Sequence, residues 1–205
     1  MVERHIAARG IRDPRLLAAM REVPRHLFVP TNVVAKAYSP AALPIGQRQT
    51  ISHPWIVARM IELLELQGGE KVLEVGTGTG YQAVVLSRMC ARVFTIERIP
   101  DLAMKAVHLV QQLGIQNVSI KVFDGSYGWS DQAPFDRIIV AAAAPEVPEP
   151  LVHQLARGGR MVLPIGRAGQ QRLARVIRVG TGIQIEDHGT AEFVPLVGRF
   201  GWGKD

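Results

Sequence analysis

Cysteine is scarce in this chain of 205 residues, and long apolar runs are missing. The single cysteine, Cys90, excludes an internal disulfide framework and suits a reducing compartment. No run of about 18 apolar residues occurs, so we expect no membrane-spanning helix. Residues 1–15 carry charges where a secretory signal requires an apolar centre. The sequence therefore predicts a cytoplasmic protein without a membrane partner.

Clusters of metal ligands and blocks of positive charge are also missing. The six histidines are scattered, and none stands at a zinc-binding spacing from another histidine or from Cys90, so no metal site is expected. The formal net charge of +6 can indicate nucleic acid or another anionic partner. The arginines are spread out, however, without interleaved aromatic residues, which favours a solvated helical face over a nucleic-acid site. The densest series is Arg4, Arg9, Arg12, Arg15, Arg21 and Arg25.

Prolines and glycines divide the first third of the chain. Residues 1–35 are predicted to be mainly helical, with one helix beginning at Pro14. Residues 36–53 contain Pro40, Pro44 and Gly46 and are predicted to form an ordered connector. After Pro54, apolar residues repeat at helical spacing and predict a second helix.

Short apolar strands then alternate with helical segments. The predicted strands are Lys71–Val75, Arg92–Ile96, Val118–Phe123, Arg137–Ala141 and Arg160–Pro164. The clearest helix begins at Pro100 and is closed by Gly114, and a shorter one is predicted near Pro150–Ala156. This order predicts an α/β fold, a Rossmann-like, doubly wound and mostly parallel sheet with helices on both faces.

The pattern changes after Gly169. Arg172–Val179 and Ile183–Asp187 flank a glycine-rich turn and predict an antiparallel hairpin, and Glu192–Val197 predict one more strand. We therefore expect a single domain in three parts. The parts are an N-terminal extension of helices and connector (1–53), a ligand-binding α/β core (54–168) and a C-terminal antiparallel addition (169–205).

A glycine-rich loop at residues 76–80 follows the first strand of the core. Ligands of parallel sheets bind beyond the carboxyl ends of the strands, where glycines let the backbone approach them. A dinucleotide fingerprint would need glycine where Tyr81 stands, and the Gly-x4-Gly-Lys-Ser/Thr phosphate loop is absent. Glu97 ends the second strand, where a carboxylate can accept hydrogen bonds from both hydroxyls of a ribose. Asp124-Gly125 ends the third strand, where an adenine edge would lie.

These acidic residues disfavour a polyphosphate and favour a nucleoside that carries positive charge. Taken alone, each signal has a simpler explanation. Glu97 could pair with Arg98 or Lys121, and glycine-rich turns are common after strands. Together, in order and at strand ends, the signals predict a nucleoside site.

The segments Glu74–Tyr81 and Thr95–Arg98 resemble the S-adenosylmethionine-dependent methyltransferases. Over roughly residues 20–200, the chain is more specifically similar to the protein-L-isoaspartate O-methyltransferases. The segments that match this family's pattern are Val23-Pro24-Arg25, Leu43-Pro44-Ile45-Gly46, Gln49-Thr50-Ile51-Ser52, Ala142–Pro148 and Phe193-Val194-Pro195-Leu196. The chain departs from the pattern at His53, Phe123 and Ala141, where the family often has glutamine, glycine and threonine; Phe123 is expected at the adenine pocket wall.

The resemblance implies a class I methyltransferase fold and a definite activity. Methyl transfer from S-adenosylmethionine to the free α-carboxylate of L-isoaspartyl residues in damaged proteins and peptides leads to a succinimide, which reopens partly to aspartate. The implied product is S-adenosylhomocysteine, no metal takes part, and a monomer is expected. The cofactor-binding residues implied are Gly76, Thr77, Gly78, Thr79, Gly80, Glu97, Asp124 and Gly125. The substrate-binding residues implied are Thr50, Ile51, Ser52 and Ala142.

Ser52 is the candidate catalytic residue. A carboxylate is already ionised at neutral pH, so this reaction needs no general base. A neutral donor can orient such a nucleophile, and a serine hydroxyl suits that role. Ser52 is therefore expected to be an orienting donor and not a covalent nucleophile. Its position ahead of Pro54 also permits a simpler function, capping the helix N-terminus.

Three other functions remain open from the residues. A methyltransferase acting on RNA would suit the basic charge, but Ala142-Ala143-Ala144-Pro145 stands where amino-methylating enzymes commonly carry Asn/Asp-Pro-Pro-aromatic. A nicotinamide-dependent oxidoreductase is disfavoured by Tyr81. The third is a non-enzymatic protein with a nucleoside pocket.

Overall fold

The computed structural model describes residues 1–203. The strands in this range are β1 (Leu43–Gly46), β2 (Gln49–Ile51), β3 (Lys71–Val75), β4 (Arg92–Glu97), β5 (Val118–Val122), β6 (Phe135–Val140), β7 (Leu155–Ile165), β8 (Arg172–Val179) and β9 (Gly182–Thr190). The α-helices are α1 (Pro14–Glu22), α2 (Pro54–Leu64), α3 (Tyr81–Ser87), α4 (Pro100–Gln112) and α5 (Glu149–Gln154). Short 3-10 or π-helical turns lie at Val2–Ile6, Ala7–Arg9, Arg25–Phe28, Thr31–Lys36, Gly125–Tyr127 and Ser130–Gln132.

Seven strands form the main sheet, in the order β5-β4-β3-β6-β7-β8-β9. The pairs from β5 to β7 are parallel, and β8 and β9 are added antiparallel. The predicted doubly wound, mostly parallel sheet with an antiparallel addition is therefore confirmed. The chain runs outward from β3 to β5 and then returns to β6, so the order reverses between β3 and β6. Crevices for ligands open at such a reversal, beyond the carboxyl ends of the strands.

The strand β3 is apolar because both faces of the sheet are covered. Val72 faces one hydrophobic cluster, which is built largely from α1, α2, α3 and α4. Leu73 and Val75 face a second cluster, which includes Phe135 and Leu151 of α5. The alternation of side chains along a strand sends these neighbours to opposite faces. The predicted bounds of β3 match the observed ones.

Helix α4 has the limits that its sequence predicts. Pro100 occupies the first turn, where the missing N–H costs nothing. Leu102, Ala106 and Val110 lie on one side and are buried. Gly114, with φ of +67°, follows the end of the helix in the left-handed conformation that glycine tolerates.

Several predicted elements differ from the structure. The connector contains the hairpin β1–β2, whose turn residues Gln47 and Arg48 have φ of 53° and 57°. Its sequence lacks the Asn-Gly or Asp-Gly pair that usually signals such a turn, and Pro44 argues against a strand. The strand predicted at Glu192–Val197 is wrong: the segment makes only two isolated bridges, Pro195 with Ala143 and Val197 with Trp202.

Two other segments also differ from their predicted structure. The strand β7 begins at Leu155, directly after α5, and not at Arg160; a register shift in its pairing with β6 accommodates the extra residues. Ahead of Pro14 the chain forms π and 3-10 turns in place of an α-helix. Cys90 is a free cysteine and is buried. No helix within residues 1–203 combines the length and apolar character needed to cross a bilayer.

Candidate active site

Two cavities meet at the carboxyl ends of β3, β4 and β6. The first, here called the loop cavity, is lined by Ile45, Gln49–Ser52, Val57, Val75–Thr79, Tyr81, Gln82, Ile96–Ile99, Gly125, Ala141, Ala142 and Val194–Val197. The second, here called the side cleft, is lined by Arg9, Ala42, Thr50, Ser52, His53, Trp55, Ile56, Ala141, Gly169–Arg172 and Thr190–Val194. Both cavities are lined by Thr50, Ser52, Ala141 and Val194, so they adjoin at these residues.

The glycine-rich loop brings bare backbone to the loop cavity. Gly76 and Gly78 have φ of +95° and +55°, a region that residues with a Cβ rarely adopt. A Cβ on Gly76 would also lie 3.5 Å from the Cβ of Ala141. The third glycine, Gly80, does not line the cavity; it caps the N-terminus of α3 and faces Ala106.

Glu97 presents a carboxylate to the loop cavity from the end of β4. It is only 7% exposed. Its Oε2 accepts the N–H of Gly78 at 2.8 Å, and its Oε1 accepts the N–H of Ile99 at 2.9 Å. Among residues 1–203 it forms no salt bridge, with Arg98, Lys121 or any other cation. Each oxygen can accept a further hydrogen bond.

Asp124 and Gly125, which follow β5, have different roles. Gly125 lines the loop cavity, and a Cβ there would lie 2.5 Å from Cγ1 of Val75, so no larger residue fits. The carboxylate of Asp124 does not line the cavity. It accepts the N–H and hydroxyl of Ser126 at 2.9 and 2.7 Å and the N–H of Arg199 at 2.9 Å. Asp124 thereby shapes the 125–127 turn and anchors the C-terminal segment.

Phe123 lies outside the loop cavity. Its ring is 42% exposed and packs against Tyr127 at a centroid distance of 5.7 Å. Phe123 does not line the loop cavity, so the structure shows no direct contact through which it would alter the cavity wall.

A buried hydrogen-bonded chain lies beneath the loop. The hydroxyls of Thr77 and Thr95 are 2.6 Å apart, and that of Thr95 donates to Oε2 of Glu74 at 2.6 Å. Glu74 is fully buried, and its burial raises the pKa of the carboxyl to about 8. The side chain of Thr77 therefore faces the sheet, while its backbone lines the cavity. Thr79 lines the cavity directly.

Ser52 follows β2 and lies where the two cavities meet. It does not cap α2, so that interpretation is wrong. His53 is the N-cap, and its Nδ1 accepts the N–H of Trp55 at 3.0 Å. Within residues 1–203 the Ser52 hydroxyl takes part in no hydrogen bond, whereas the Ser52 carbonyl accepts one from Arg25.

The other predicted substrate residues surround Ser52. Thr50 is exposed and lines both cavities. Ile51 is only 6% exposed and belongs to the core, so its contribution to the cavity is mainly through the backbone. Ala142 lines the loop cavity beyond β6.

The side cleft separates the N-terminal region from the C-terminal addition. On one wall the guanidinium of Arg9 lies 4.3 Å from the centroid of the Trp55 ring. Burial lowers the pKa of His53, and the charges of Arg9, Arg25 and His5 lower this pKa further. His53 is therefore neutral at neutral pH, and it lines the side cleft together with Ser52.

Comparison with known proteins now identifies the family. Residues 1–201 match the family model described as Protein-L-isoaspartate(D-aspartate) O-methyltransferase (PCMT). A relative from Geobacter metallireducens, named protein-L-isoaspartate O-methyltransferase, is 52% identical over 206 residues, which cover 100% of this chain and 95% of that protein. The chain belongs to the protein-L-isoaspartate O-methyltransferase family. It is therefore an enzyme of the isoaspartyl methyltransferase class, and the RNA methyltransferase and oxidoreductase alternatives are not favoured.

Solved structures of isoaspartate methyltransferases share the fold. One such enzyme superposes with a TM-score of 0.89 at 29% identity, covering 98% of this chain and 67% of that one. A second, described as a putative protein-L-isoaspartate O-methyltransferase from Plasmodium falciparum in complex with S-adenosyl-L-homocysteine, gives a TM-score of 0.80 at 26% identity and covers 94% of each chain. The class I methyltransferase fold expected from the sequence is confirmed.

Sequence reasoning missed one wall of the loop cavity. Val194–Val197 line the loop cavity opposite the glycine loop. The segment is held there by Leu196, whose N–H donates to Ala143, and by Trp202, whose Nε1–H donates to the same carbonyl at 2.8 Å. The match of Phe193–Leu196 to the family pattern was the signal that could have located it. A short segment far along the chain gives no local sign of which cavity it closes.

Proposed function

We propose that this family member uses S-adenosylmethionine to methylate the free α-carboxylate of L-isoaspartyl residues in damaged proteins and peptides, starting their repair through a succinimide. The main support is the position of Ser52, which lines both the loop cavity and the side cleft. One cavity has the residues that suit a nucleoside, and the other is the larger of the two, as a peptide substrate requires. A methyl donor and a carboxylate acceptor would therefore meet beside the Ser52 hydroxyl.

The donor set of the loop cavity fits S-adenosylmethionine. The free backbone of Gly76 and Gly78 permits close approach, and the acceptor oxygens of Glu97 suit ribose hydroxyls. Gly125 lines the same cavity and packs so closely on Val75 that no side chain would fit between them. We assign the cofactor to residues 76–79, Glu97 and Gly125, with Gly80 starting α3 behind the loop and Asp124 shaping the turn that holds Gly125. When bound, S-adenosylmethionine supplies a methyl group that its positively charged sulfur activates.

Ser52 orients the acceptor. The isoaspartyl carboxylate is already ionised, so it needs positioning and partial desolvation, not deprotonation. The Ser52 hydroxyl donates a hydrogen bond to it without the strong charge pairing that would reduce its nucleophilicity. Ala142 and Val194, both apolar, line the same place and exclude water.

We assign the damaged peptide to the side cleft. Thr50 forms the edge nearest Ser52, and His53 and Trp55 line the wall beyond it. Ile51 lines the adjoining loop cavity and not the cleft itself. Because His53 is neutral and its Nδ1 accepts the N–H of Trp55, the ring proton is on Nε2, which gives this wall an uncharged donor.

We further propose a cytoplasmic monomer that acts without a metal or a nucleic-acid partner and folds as one domain, divided at residues 1–53, 54–168 and 169–205. Support for one domain comes from the core. Ile6 and Leu16 of the extension share a hydrophobic cluster with Val72 of the central sheet and Leu173 of the C-terminal addition.

A methyl-transfer assay tests the proposed function. Radiolabelled S-adenosylmethionine is supplied with an isoaspartyl peptide, the same peptide carrying normal aspartate, or bulk RNA. We expect label on the isoaspartyl peptide, base-labile as a methyl ester should be, and none on the aspartyl twin. Label on RNA alone would reject the proposal.

A further inference from the structure

The sequence predicts that Arg25 lies on a solvated face, and this prediction is wrong. Arg25 is 0% exposed and is among the largest fully buried side chains of the described chain. Burial lowers the pKa of its guanidinium. No carboxylate within residues 1–203 lies within salt-bridge distance of it. A buried cation without a counter-ion reduces stability, so a replacement by an apolar side chain would be expected unless the charge or its donors served a purpose.

Its hydrogen bonds go to two distant points of the backbone. Nε donates to the carbonyl of Ala37 at 2.9 Å, and Nη2 donates to the carbonyl of Ser52 at 2.7 Å. These carbonyls bracket the connector that contains β1 and β2. One side chain therefore ties both ends of this connector to the turn at Arg25–Phe28.

A third contact reaches the glycine-rich loop. The guanidinium of Arg25 lies 4.7 Å from the ring centroid of Tyr81, the first residue of α3 after that loop. Tyr81 is 2% exposed and lines the loop cavity. Phe28 packs edge-on against the same ring, at a centroid distance of 5.4 Å. Arg25 thus connects the wall that bears Ser52 with the loop assigned to the cofactor.

Only arginine offers this combination of contacts. Its planar fork holds several donors in fixed directions and stacks on an aromatic ring. A lysine has one donor centre and cannot reach two carbonyls on different sides with the same geometry. On the other side of Ser52, the His53 carbonyl accepts the N–H groups of Ile56 and Val57 at the start of α2. The Ser52 backbone is therefore held from both sides, and its hydroxyl remains free.

From these contacts, we propose that Arg25 is a positioning residue of the methyl-transfer site: by donating to the Ser52 carbonyl while its guanidinium lies over the Tyr81 ring, it fixes the Ser52 hydroxyl at the junction of the loop cavity and the side cleft. Arg25 acts through Ser52 and lines neither cavity. The inference rests on the proposed function and adds a residue whose effect is on the rate of the reaction and not on cofactor affinity.

The test compares Arg25→Lys and Arg25→Ala with a matched control, Arg137→Lys. Arg137 is also largely buried, and it donates to the carbonyl of Leu64 at 2.6 Å, but it lines neither cavity.

We expect the Arg25 variants to lose about 10- to 100-fold in kcat, since a displacement of about 1 Å can have that effect. Calorimetric affinity for S-adenosylhomocysteine should change by less than about three-fold if cofactor contacts persist. Arg137→Lys should lower the melting temperature without lowering kcat.

Two further measurements separate positioning from general destabilisation. Added guanidinium ion should restore part of the kcat of Arg25→Ala and none of any loss in Arg137→Lys. Amide hydrogen exchange of residues 38–52 should accelerate in the Arg25 variants, while β3 and β6 keep their protection. If both Arg25 variants show wild-type kcat, or if cofactor affinity falls as much as the rate, Arg25 does not position Ser52.

The outcomes also distinguish this inference from the proposed function. A wild-type chain that leaves the isoaspartyl peptide unlabelled contradicts the function itself. The exchange measurement does not depend on turnover and still decides whether Arg25 holds the connector: unchanged exchange at residues 38–52 would overturn the inference by itself.

Discussion

Ser52 and His53 divide two roles that either residue could have filled. His53 satisfies the first turn of α2 through its Nδ1, which leaves the Ser52 hydroxyl without a partner in residues 1–203. A serine that capped the helix would have its oxygen committed to a backbone N–H. The hydroxyl remains available for an acceptor in the cleft because the neighbouring imidazole has taken the cap.

Replacing Ser52 by alanine tests this division of roles. We expect Ser52→Ala to lower kcat for an isoaspartyl peptide about 10- to 100-fold, since a hydrogen bond to a charged group contributes about 1.5–3 kcal/mol. The thermal midpoint should be unchanged, because the cap on α2 belongs to His53. Steady-state kinetics and a melting curve measure the two effects.

Ser119→Ala provides the control for this substitution. Ser119 lies on β5, where its hydroxyl accepts from Arg92 at 2.9 Å, and it lines neither cavity. Its removal should leave kcat unaltered. Equal turnover of Ser52→Ala and the wild type at saturating peptide would remove Ser52 from the reaction.

At the scale of the element, β3 and β4 are joined by side chains as well as by their backbone ladder. Glu74 and Thr95 stand opposite each other in the parallel register. Their hydrogen bond continues to Thr77 at the base of the glycine-rich loop, so the loop is anchored from beneath. Burial favours the neutral carboxyl of Glu74, which makes this anchor sensitive to pH.

Glu74 should make stability fall as pH rises. Its pKa is about 8 in the folded chain against an ordinary value of 4.5, so between these pH values the folded state keeps a proton that the unfolded state has lost. The contribution of Glu74 is fully present below pH 4.5 and is lost as pH rises to about 8. We expect Glu74→Gln, which cannot ionise, to flatten this part of the curve. Chemical denaturation at a series of pH values measures it.

An exposed glutamate serves as the comparison. Glu146→Gln should keep the wild-type pH profile, since Glu146 is exposed in the folded chain. If the Glu74→Gln profile matched that of the wild type across the same range, the buried carboxyl would not be the titrating group.

At the scale of the whole molecule, the site is assembled from three distant parts of the chain. The connector brings Ser52, the central sheet brings the glycine loop and Glu97, and the C-terminal segment brings Val194–Val197. Trp202 fixes this last wall, because its indole N–H donates to Ala143 beyond β6. The loop cavity is therefore incomplete without residues 194–202.

Trp202→Phe should weaken cofactor binding. The ring is retained, while the hydrogen bond to Ala143 is lost, and such a bond contributes about 0.5–1.5 kcal/mol. We expect the Kd for S-adenosylhomocysteine to rise about 2- to 10-fold by calorimetry. The matched control is Trp129→Phe: Trp129 packs on Phe94 at a centroid distance of 5.4 Å and lines neither cavity. A larger effect of Trp129→Phe than of Trp202→Phe on this Kd would contradict the assigned wall.

The sequence by itself determined the elements that depend on near neighbours. An apolar run between turn residues located β3, a 3.6-residue repeat between proline and glycine located α4, and glycine spacing located the loop. The order of these elements determined the sheet, and motif matches along the chain indicated the family. Such signals depend only on residues close together in the sequence, so they can be recognised without knowledge of the fold.

Only the tertiary structure decided which long-range contacts those elements make. It buried Arg25 among backbone carbonyls, gave the helix cap to His53, and placed Val194–Val197 across from the glycine loop. A charge in an arginine-rich stretch is expected in water, and nothing near it in the chain shows that Ala37 and Ser52 surround it. Burial depends on residues distant in sequence, so it is known only once the chain has folded.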